Sequence, residues 1–349
     1  MSIANLLPIL EENNKFKSIV QKINSSKNFD MSLFTPAKDF FLAAFLRTQK
    51  TPSVIITESS STAHELYDRL FYYLGDDFNI LNFPDSDDIY YENFSKNHEI
   101  EIDRIRCLAS IEDYYKSNSI PIIISSINSI SNTTIDRSVF KNCSVSIKNN
   151  EEKNLKELVN FFISIGYDRE PIVDVPGILS VRGGIIDIYS PNYQYPVRIE
   201  FYGDTIETIR FFHPETQRSI SSIENITIIP TREILTNFVD KKNINEKIDK
   251  LDFSNCFDKK SKLKKEIRKI IDGENNPKYS GFYKSSNIFE YITDDFKIIN
   301  FEKDLALKQL SDYEKRVEVL RKNKEERGEI PYFFPLPRID TNSLKNKLK

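Results

Sequence analysis

Apolar and polar residues follow two different rhythms along this chain, and the order of those rhythms predicts its architecture. From Asn5 to Ile23, the residues Leu6, Ile9, Leu10, Phe16, Ile19, Val20 and Ile23 fall at helical spacing in two pieces. Phe40 to Arg47 is apolar on most sides, which predicts a buried helix. Ser53 to Thr57 is a short β-branched strand. The polar run Glu58 to Ala63 then opens a helix through Leu74, with Gly75 as its stop. Phe78 to Phe83 predicts a further strand, ended by Pro84. Glu99 to Lys116 is amphipathic, with Ile102, Ile105, Leu108, Ala109 and Tyr115 facing inward, and Ile120 to Ser125 is a continuous apolar run of the buried-strand kind. Strands and helices alternating at these lengths predict an α/β domain on a largely parallel sheet.

Near residue 138 the rhythm changes. Ser144 to Ile147 begins a strand, Glu151 to Ile165 reads as a helix stopped by Gly166, and several strands with turn residues between them run through Ile229. This predicts a compact α+β insert. From Thr231 helical patterns return, over Leu251–Phe257, Leu263–Ile271 and Leu305–Asn323. The expected organisation is residues 1–137 as the first part of the α/β domain, 138–228 as the insert, and 229–349 as the return segment. Inside the insert, Arg198, Glu200 and Tyr202 share one strand parity, while Val197, Ile199 and Phe201 share the other. Arg182 precedes Gly183-Gly184, a turn or bulge able to re-aim its strand. One face packs and the other shows a cation, an anion and an aromatic ring, which fits a binding surface better than a catalytic pocket. A cross-strand ion pair of Arg198 or Arg182 with Glu200 or Asp187, worth ~0–1 kcal/mol at a surface, fits the periodicity equally well.

A length of 349 residues implies two or three domains, and 39% hydrophobic with 12% aromatic content supplies packed interiors. Charge is high but balanced, 49 basic against 52 acidic residues for a net −3, so the whole chain presents no basic field to nucleic acid. A local patch is different. Lys259, Lys260, Lys262, Lys264, Lys265, Arg268 and Lys269 surround Leu263, Ile267 and Ile270 at helical spacing. The polar face of a surface helix explains them, and a DNA-binding module using this 259–269 helix is the alternative. Cys107, Cys143 and Cys256 are odd in number and in no CxxC arrangement, the usage of a reduced, cytoplasmic chain without a structural zinc. The apolar run Ile3 to Leu10 is interrupted by Pro8 and followed by Glu11 and Glu12, unlike a secretory signal. No window approaches the roughly 18 uncharged apolar residues of a membrane span.

Catalytic signals are weak. An α/β domain opening this way calls for a phosphate loop at Ser32–Asp39, Ser-Leu-Phe-Thr-Pro-Ala-Lys-Asp. That segment has no glycine, Pro36 lacks a backbone donor, and Asp39 follows Lys38 where a hydroxyl is required. No nucleotide or other cofactor is expected. His64, His98 and His213 lie in separate segments without ligand spacing, and Asp85, Asp87 and Asp88 read as a solvated loop rather than a magnesium site. Tyr72, Tyr73, Tyr90 and Tyr91 have the rings to stack bases, but packing is the plainer reading. Neither catalytic residues nor metal ligands are assigned.

Ser-Val-Arg-Gly-Gly-Ile-Ile-Asp-Ile-Tyr at 180–189, Pro-Val-Arg-Ile-Glu-Phe-Tyr-Gly-Asp at 196–204, then Ile-Arg-Phe-Phe and Glu-Thr-Gln-Arg-Ser closely resemble the transcription-repair coupling factors (Mfd family) and, at greater distance, UvrB. Tyr91-Glu-Asn-Phe-Ser, the segment from His98 through Arg106, and Pro331–Pro337 carry the likeness further along the chain. The resemblance implies a UvrB-like module: a degenerate helicase-type, P-loop-like parallel-sheet domain with an inserted small α+β domain that docks onto UvrA. Carried over by motif, the docking face holds Arg182, Arg198 and Glu200, with Tyr202 as the neighbouring aromatic. UvrB-type sequences often have a further arginine where Leu179 or Ser180 stands. Coupling factors retain the sheet and lose the phosphate loop, in keeping with Ser32–Asp39. The resemblance also implies recruitment of UvrA in transcription-coupled nucleotide excision repair. ATP-driven DNA translocation, DNA contact and RNA polymerase contact would belong to domains beyond Lys349. Arg198→Ala is expected to abolish UvrA binding and to leave the thermal midpoint nearly unchanged.

Overall fold

The computed structural model describes residues 3–86, 97–117, 119–272 and 276–348. Two short helices come first, α1 (Leu7–Glu12) and α2 (Asn14–Ser25). Asn13 separates them: its extended backbone breaks the helix, and its side chain caps α2 by accepting from the Lys15 amide at 2.9 Å. α3 (Thr35–Gln49), β1 (Ser53–Thr57), α4 (Ser60–Leu74), β2 (Asn79–Phe83), α5 (His98–Ser117) and β3 (Pro121–Ser126) follow much as the pattern predicts. Ser59 caps α4, and Gly75 ends it at a φ of +67°. Tyr115 departs from its inward reading. It is 38% exposed, with its hydroxyl donating to the Tyr291 carbonyl at 3.2 Å.

Beyond α6 (Ile127–Ser131) and α7 (Arg137–Asn142), the insert runs through β4 (Val145–Lys148), α8 (Leu155–Ser164), β5 (Asp168–Arg169), β6 (Ile178–Arg182), β7 (Ile185–Ile188), β8 (Val197–Tyr202), β9 (Thr205–Phe212), β10 (Ser219–Ile223) and β11 (Asn225–Ile228). The helix expected from Glu151 starts only at Leu155, because Asn154 caps it there. Glu151 and Lys153 instead bond to the β8–β9 turn, through Ile206 N to Glu151 O at 3.0 Å and Lys153 N to Asp204 O at 2.8 Å. Five strands of the six-stranded sheet β10-β9-β8-β7-β6-β5 pair antiparallel in sequence, and β5 joins parallel at the edge. β4 and β11 pair with each other, with Ile147 opposite Ile226, so the two ends of this region are clasped side by side.

The return segment carries α9 (Lys241–Asp249), α10 (Lys260–Arg268), α11 (Ser280–Tyr283), β12 (Lys297–Asn300), α12 (Lys303–Glu326) and α13 (Thr341–Lys347). The sequence pattern predicts helices alone here, and two findings correct it. Leu251–Phe257 is not a helix: Asp252 bridges to Tyr332, and Leu251, Phe253 and Cys256 reach the core from an irregular backbone. β12 is a strand, and it pairs parallel with β1 to complete the sheet β12-β1-β3-β2.

That sheet is buried on both faces. Val54, Ile56 and Ile123 point into a core shared with α5, α12 and the inner face of the six-stranded sheet. Ile55, Ile122 and Ile124 face the opposite core, under α3 and α4. A third core around Ile234, Phe253, Ile267, Phe282 and Phe334 belongs to the return segment. The molecule is therefore mixed α/β, with a parallel sheet and a separate small β unit. A buried ion cluster ties α5 to the return segment. Arg104 of α5 donates to Glu233 at 2.9 Å, Lys284 to the other Glu233 oxygen at 2.6 Å, and Glu101 accepts from the Glu233 amide at 2.7 Å. Arg104, Glu233 and Lys284 are all buried. No helix among the described residues is long and apolar enough to cross a membrane.

Candidate docking surface

The strand register of the insert sorts its side chains into two faces. Rows Val181–Ile186–Ile199–Ile209 and Leu179–Ile188–Val197–Phe211 pack against the core. The opposite face shows the rows Ser180–Asp187–Arg198–Arg210 and Arg182–Ile185–Glu200–Thr208. Gly183 and Gly184 form a two-residue turn rather than a bulge. Gly183 sits at a φ of +60°, and a Cβ on Gly184 would lie 2.9 Å from the Phe201 carbonyl, so neighbouring backbones approach too closely for any side chain.

Sequence-selected residues fall into two kinds. Arg182 is exposed at the end of β6, and its Nη2 donates to the Pro171 carbonyl at 2.7 Å. Tyr202 is 81% exposed at the end of β8. Among the described residues neither is paired with a carboxylate. Arg198, by contrast, is forked onto Asp187 directly across the register, Nε to Oδ1 at 2.7 Å and Nη2 to Oδ2 at 2.8 Å. Its guanidinium lies 4.7 Å from the Phe212 ring centroid, and the hydrogen bond to Asp187 raises its already high pKa. Asp187 is buried. Glu200 is likewise engaged, pairing with Arg210 and accepting from Thr208 at 2.9 Å. Both pairs join neighbouring strands on the polar face.

Beside Arg182 lies an open groove of about 600 Å³ lined by Arg169, Glu170, Pro171, Ser180, Val181 and Arg182. Ile172 and Val175, 61% and 50% exposed, belong to the loop that follows. Arg169, Glu170, Pro171, Ile172 and Val175 escaped the sequence reading, which also assigned no role to Arg210 or Gln217 but did offer Asp187 as an ion-pair partner. Pro171 and Pro176, framing Ile172, Val173 and Val175 in one loop, were the available signal, and of the three only Val173 is buried. Of the two positions where an arginine is common in UvrB-type chains, Leu179 is core, and Ser180 is buried at the groove, its hydroxyl donating to the Pro171 carbonyl at 3.3 Å.

The other candidate places hold no assembled chemistry. Lys38, at the position of a phosphate-loop lysine, is paired with Glu302, and Asp39 with Arg69 at 2.5 Å; burial pushes the Asp39 carboxyl up against the pull of that arginine. His64 faces Asp68, His98 packs on Gly177, and His213 lies by Tyr195, three unrelated sites. Among the described residues no cluster of His, Cys, Asp or Glu could hold a metal ion. Asp85 accepts from Ser60 and Ser126. Asp87, Asp88, Tyr90 and Tyr91 lie outside the described residues. Tyr72 and Tyr73 meet edge to face.

Residues 145–234, the clasped β unit with its two-faced sheet, match the family described as the UvrB interaction domain. Over a longer span the chain is similar to transcription-repair-coupling factors. It is 27% identical to that of Bacillus subtilis (strain 168) over 247 residues, covering 70% of this chain and 21% of the relative. For the coupling factor of Myxococcus xanthus the figures are 25% over 226 residues, 63% of this chain and 19% of the relative. For Staphylococcus aureus (strain USA300) they are 26% over 256 residues, 70% and 21%. The resemblance read from the sequence motifs is borne out, and the chain spans about a fifth of the length of these relatives.

Proposed function

We propose that this chain is a non-catalytic recruitment module of a transcription-repair coupling factor, and that its insert docks onto UvrA in transcription-coupled nucleotide excision repair. One observation carries the reading. Within the segment that matches the UvrB interaction domain, Arg182 and Tyr202 project at one end of the sheet, and among the described residues neither is paired with a carboxylate. A guanidinium at the rim of an open groove, with an exposed ring at the same end of the sheet, suits an acidic partner surface with a small apolar prominence. Arg198 and Glu200 belong to the same face, and their roles are fixed by Asp187 and Arg210. Asp187 holds the Arg198 fork in place, and Arg198 Nη1 donates to nothing else among the described residues.

The insert boundaries, 138–228, rest on the β4–β11 clasp, with 1–137 and 229–349 joining in the parallel sheet through β12. That sheet supports a degenerate helicase-type domain. Lys38 and Asp39 are both spent in ion pairs, which supports a site that takes no nucleotide, and a flat calorimetric titration with ATP and magnesium is the expected result. ATP-driven translocation, with the DNA contacts that the motor itself needs, and the RNA polymerase contact of a coupling factor fall to the remaining length of such proteins. Three free, buried cysteines suit a cytoplasmic, reduced protein.

Calorimetry with UvrA tests the docking face. Arg182→Ala and Tyr202→Ala should each weaken binding about thirtyfold or more with the thermal midpoint unmoved. Wild-type affinity in both variants would remove the assignment.

A further inference from the structure

α10 carries its charge in a way that the fold does not require. Leu263 and Ile267 on the helix, and Ile270 just beyond it, are buried in the core of the return segment. At about 100° per residue, the remaining arc of roughly 200° shows Lys260, Lys264, Arg268, Lys265, Lys269 and Lys262 with Ser261 among them, and Glu266 stands only at its margin. Lys259 precedes the helix. All seven cations are exposed.

Local energetics oppose the N-terminal half of this arrangement, whereas Lys265 and Arg268 in the last turn suit the helix dipole. Lys259, Lys260 and Lys262 sit at the helix N-terminus, where the dipole repels cations, and no side chain caps that end. Lys260–Lys264, Lys264–Arg268 and Lys265–Lys269 are like-charge neighbours four residues apart. The chain itself compensates part of this charge, and Lys269 has a partner of its own. Lys262 lies 3.9 Å from Glu266, Lys259 donates to the Arg327 carbonyl at 3.5 Å, and Lys264 lies 5.2 Å from the Phe253 ring centroid. A face that weakens its own helix in an acidic chain points to a ligand that supplies the missing anions.

We propose that this face binds duplex DNA through its phosphate backbone. Charge density is the main argument. Seven cations along about 16 Å of chain axis, at 1.5 Å per residue, match a duplex that carries about one phosphate per 1.7 Å of its own axis. A lipid surface would need apolar residues on the same exposed arc, and the arc has none because Leu263, Ile267 and Ile270 are committed to the core. A single strand would need several rings for its bases, and among the described residues of 251–272 only the Phe257 ring is exposed. This goes beyond UvrA recruitment and uses no residue of the insert.

The test is fluorescence anisotropy of the full chain with a labelled duplex of arbitrary sequence, about 20 base pairs, across a salt series. Wild type should bind with a log–log salt slope of about −3 or steeper, since each neutralised phosphate contributes about −0.9. The Lys260→Gln/Lys264→Gln/Arg268→Gln variant should bind at least about tenfold more weakly near 0.1 M salt and lose about 2 to 3 from the slope, while its UvrA affinity stays unchanged. Lys260→Arg/Lys264→Arg should retain both affinity and slope, which separates charge from any loss of folding. No duplex binding by wild type at low salt, an unchanged slope in the neutralised variant, or tighter binding to a single strand of equal length or to anionic vesicles would each overturn the proposal.

Discussion

Arg182 and Arg198 lie on one face of the same sheet, and their guanidinium groups serve different ends. Removing Arg198 strands the buried Asp187 carboxylate, so Arg198→Ala should cost about 1–3 kcal/mol of stability rather than leave the midpoint unchanged. Chemical denaturation of Arg198→Ala, Asp187→Asn and the double variant checks this: the two effects should overlap strongly instead of adding. Equal stability of Arg198→Ala and wild type would show that the fork contributes nothing. The parity of residues 197–202 made the polar face legible, but parity is silent on which partner stands opposite, since that depends on the β7–β8 register. At Cys143, burial pushes the thiol up to about 12, and the Cys107 and Cys256 thiols are raised by burial too. A thiol-specific reagent at neutral pH should therefore label none of the three until the chain unfolds. Fast stoichiometric labelling of the native protein would contradict that burial.

Among the elements, the clasp of β4 and β11 holds the insert to its base, with Ile147 and Ile226 facing each other in the core. Ile226→Ala should cost about 2–4 kcal/mol, measured by urea denaturation. A loss below about 0.5 kcal/mol would mean that the clasp bears little. Long, strongly patterned elements were readable: β1 has the bounds of its β-branched run, and α4 starts and stops where Ser59 and Gly75 place it. β12 was not, because Lys297–Asn300 is too short for any period to show, and only its distant partner β1 makes it a strand. The Leu251–Phe257 stretch misleads for a related reason: its apolar spacing suits a helix, but the bridge from Asp252 to Tyr332 sets the backbone first.

Across the molecule, Arg104, Glu233 and Lys284 join α5 to two separate stretches of the return segment in one buried cluster. Glu233→Gln would take from Arg104 and Lys284 the carboxylate that they share, leaving the buried cluster short of one anion, at a cost of about 3–5 kcal/mol. The same apolar core runs from Val54 and Ile105 into Ile186 and Ile199, so the insert should not melt alone. Scanning calorimetry should show Glu233→Gln lowering the transition that reports both regions, and a separate insert transition would argue against a shared core.

The late arrival of β12 sets a timetable for biosynthesis. β1 emerges from the ribosome nearly 250 residues before its parallel neighbour, so its outer edge stays bare while the whole insert is completed. Nascent chains arrested shortly before Lys297 should depend on chaperones to stay soluble, and release from that dependence should follow the appearance of four residues rather than of any entire helix.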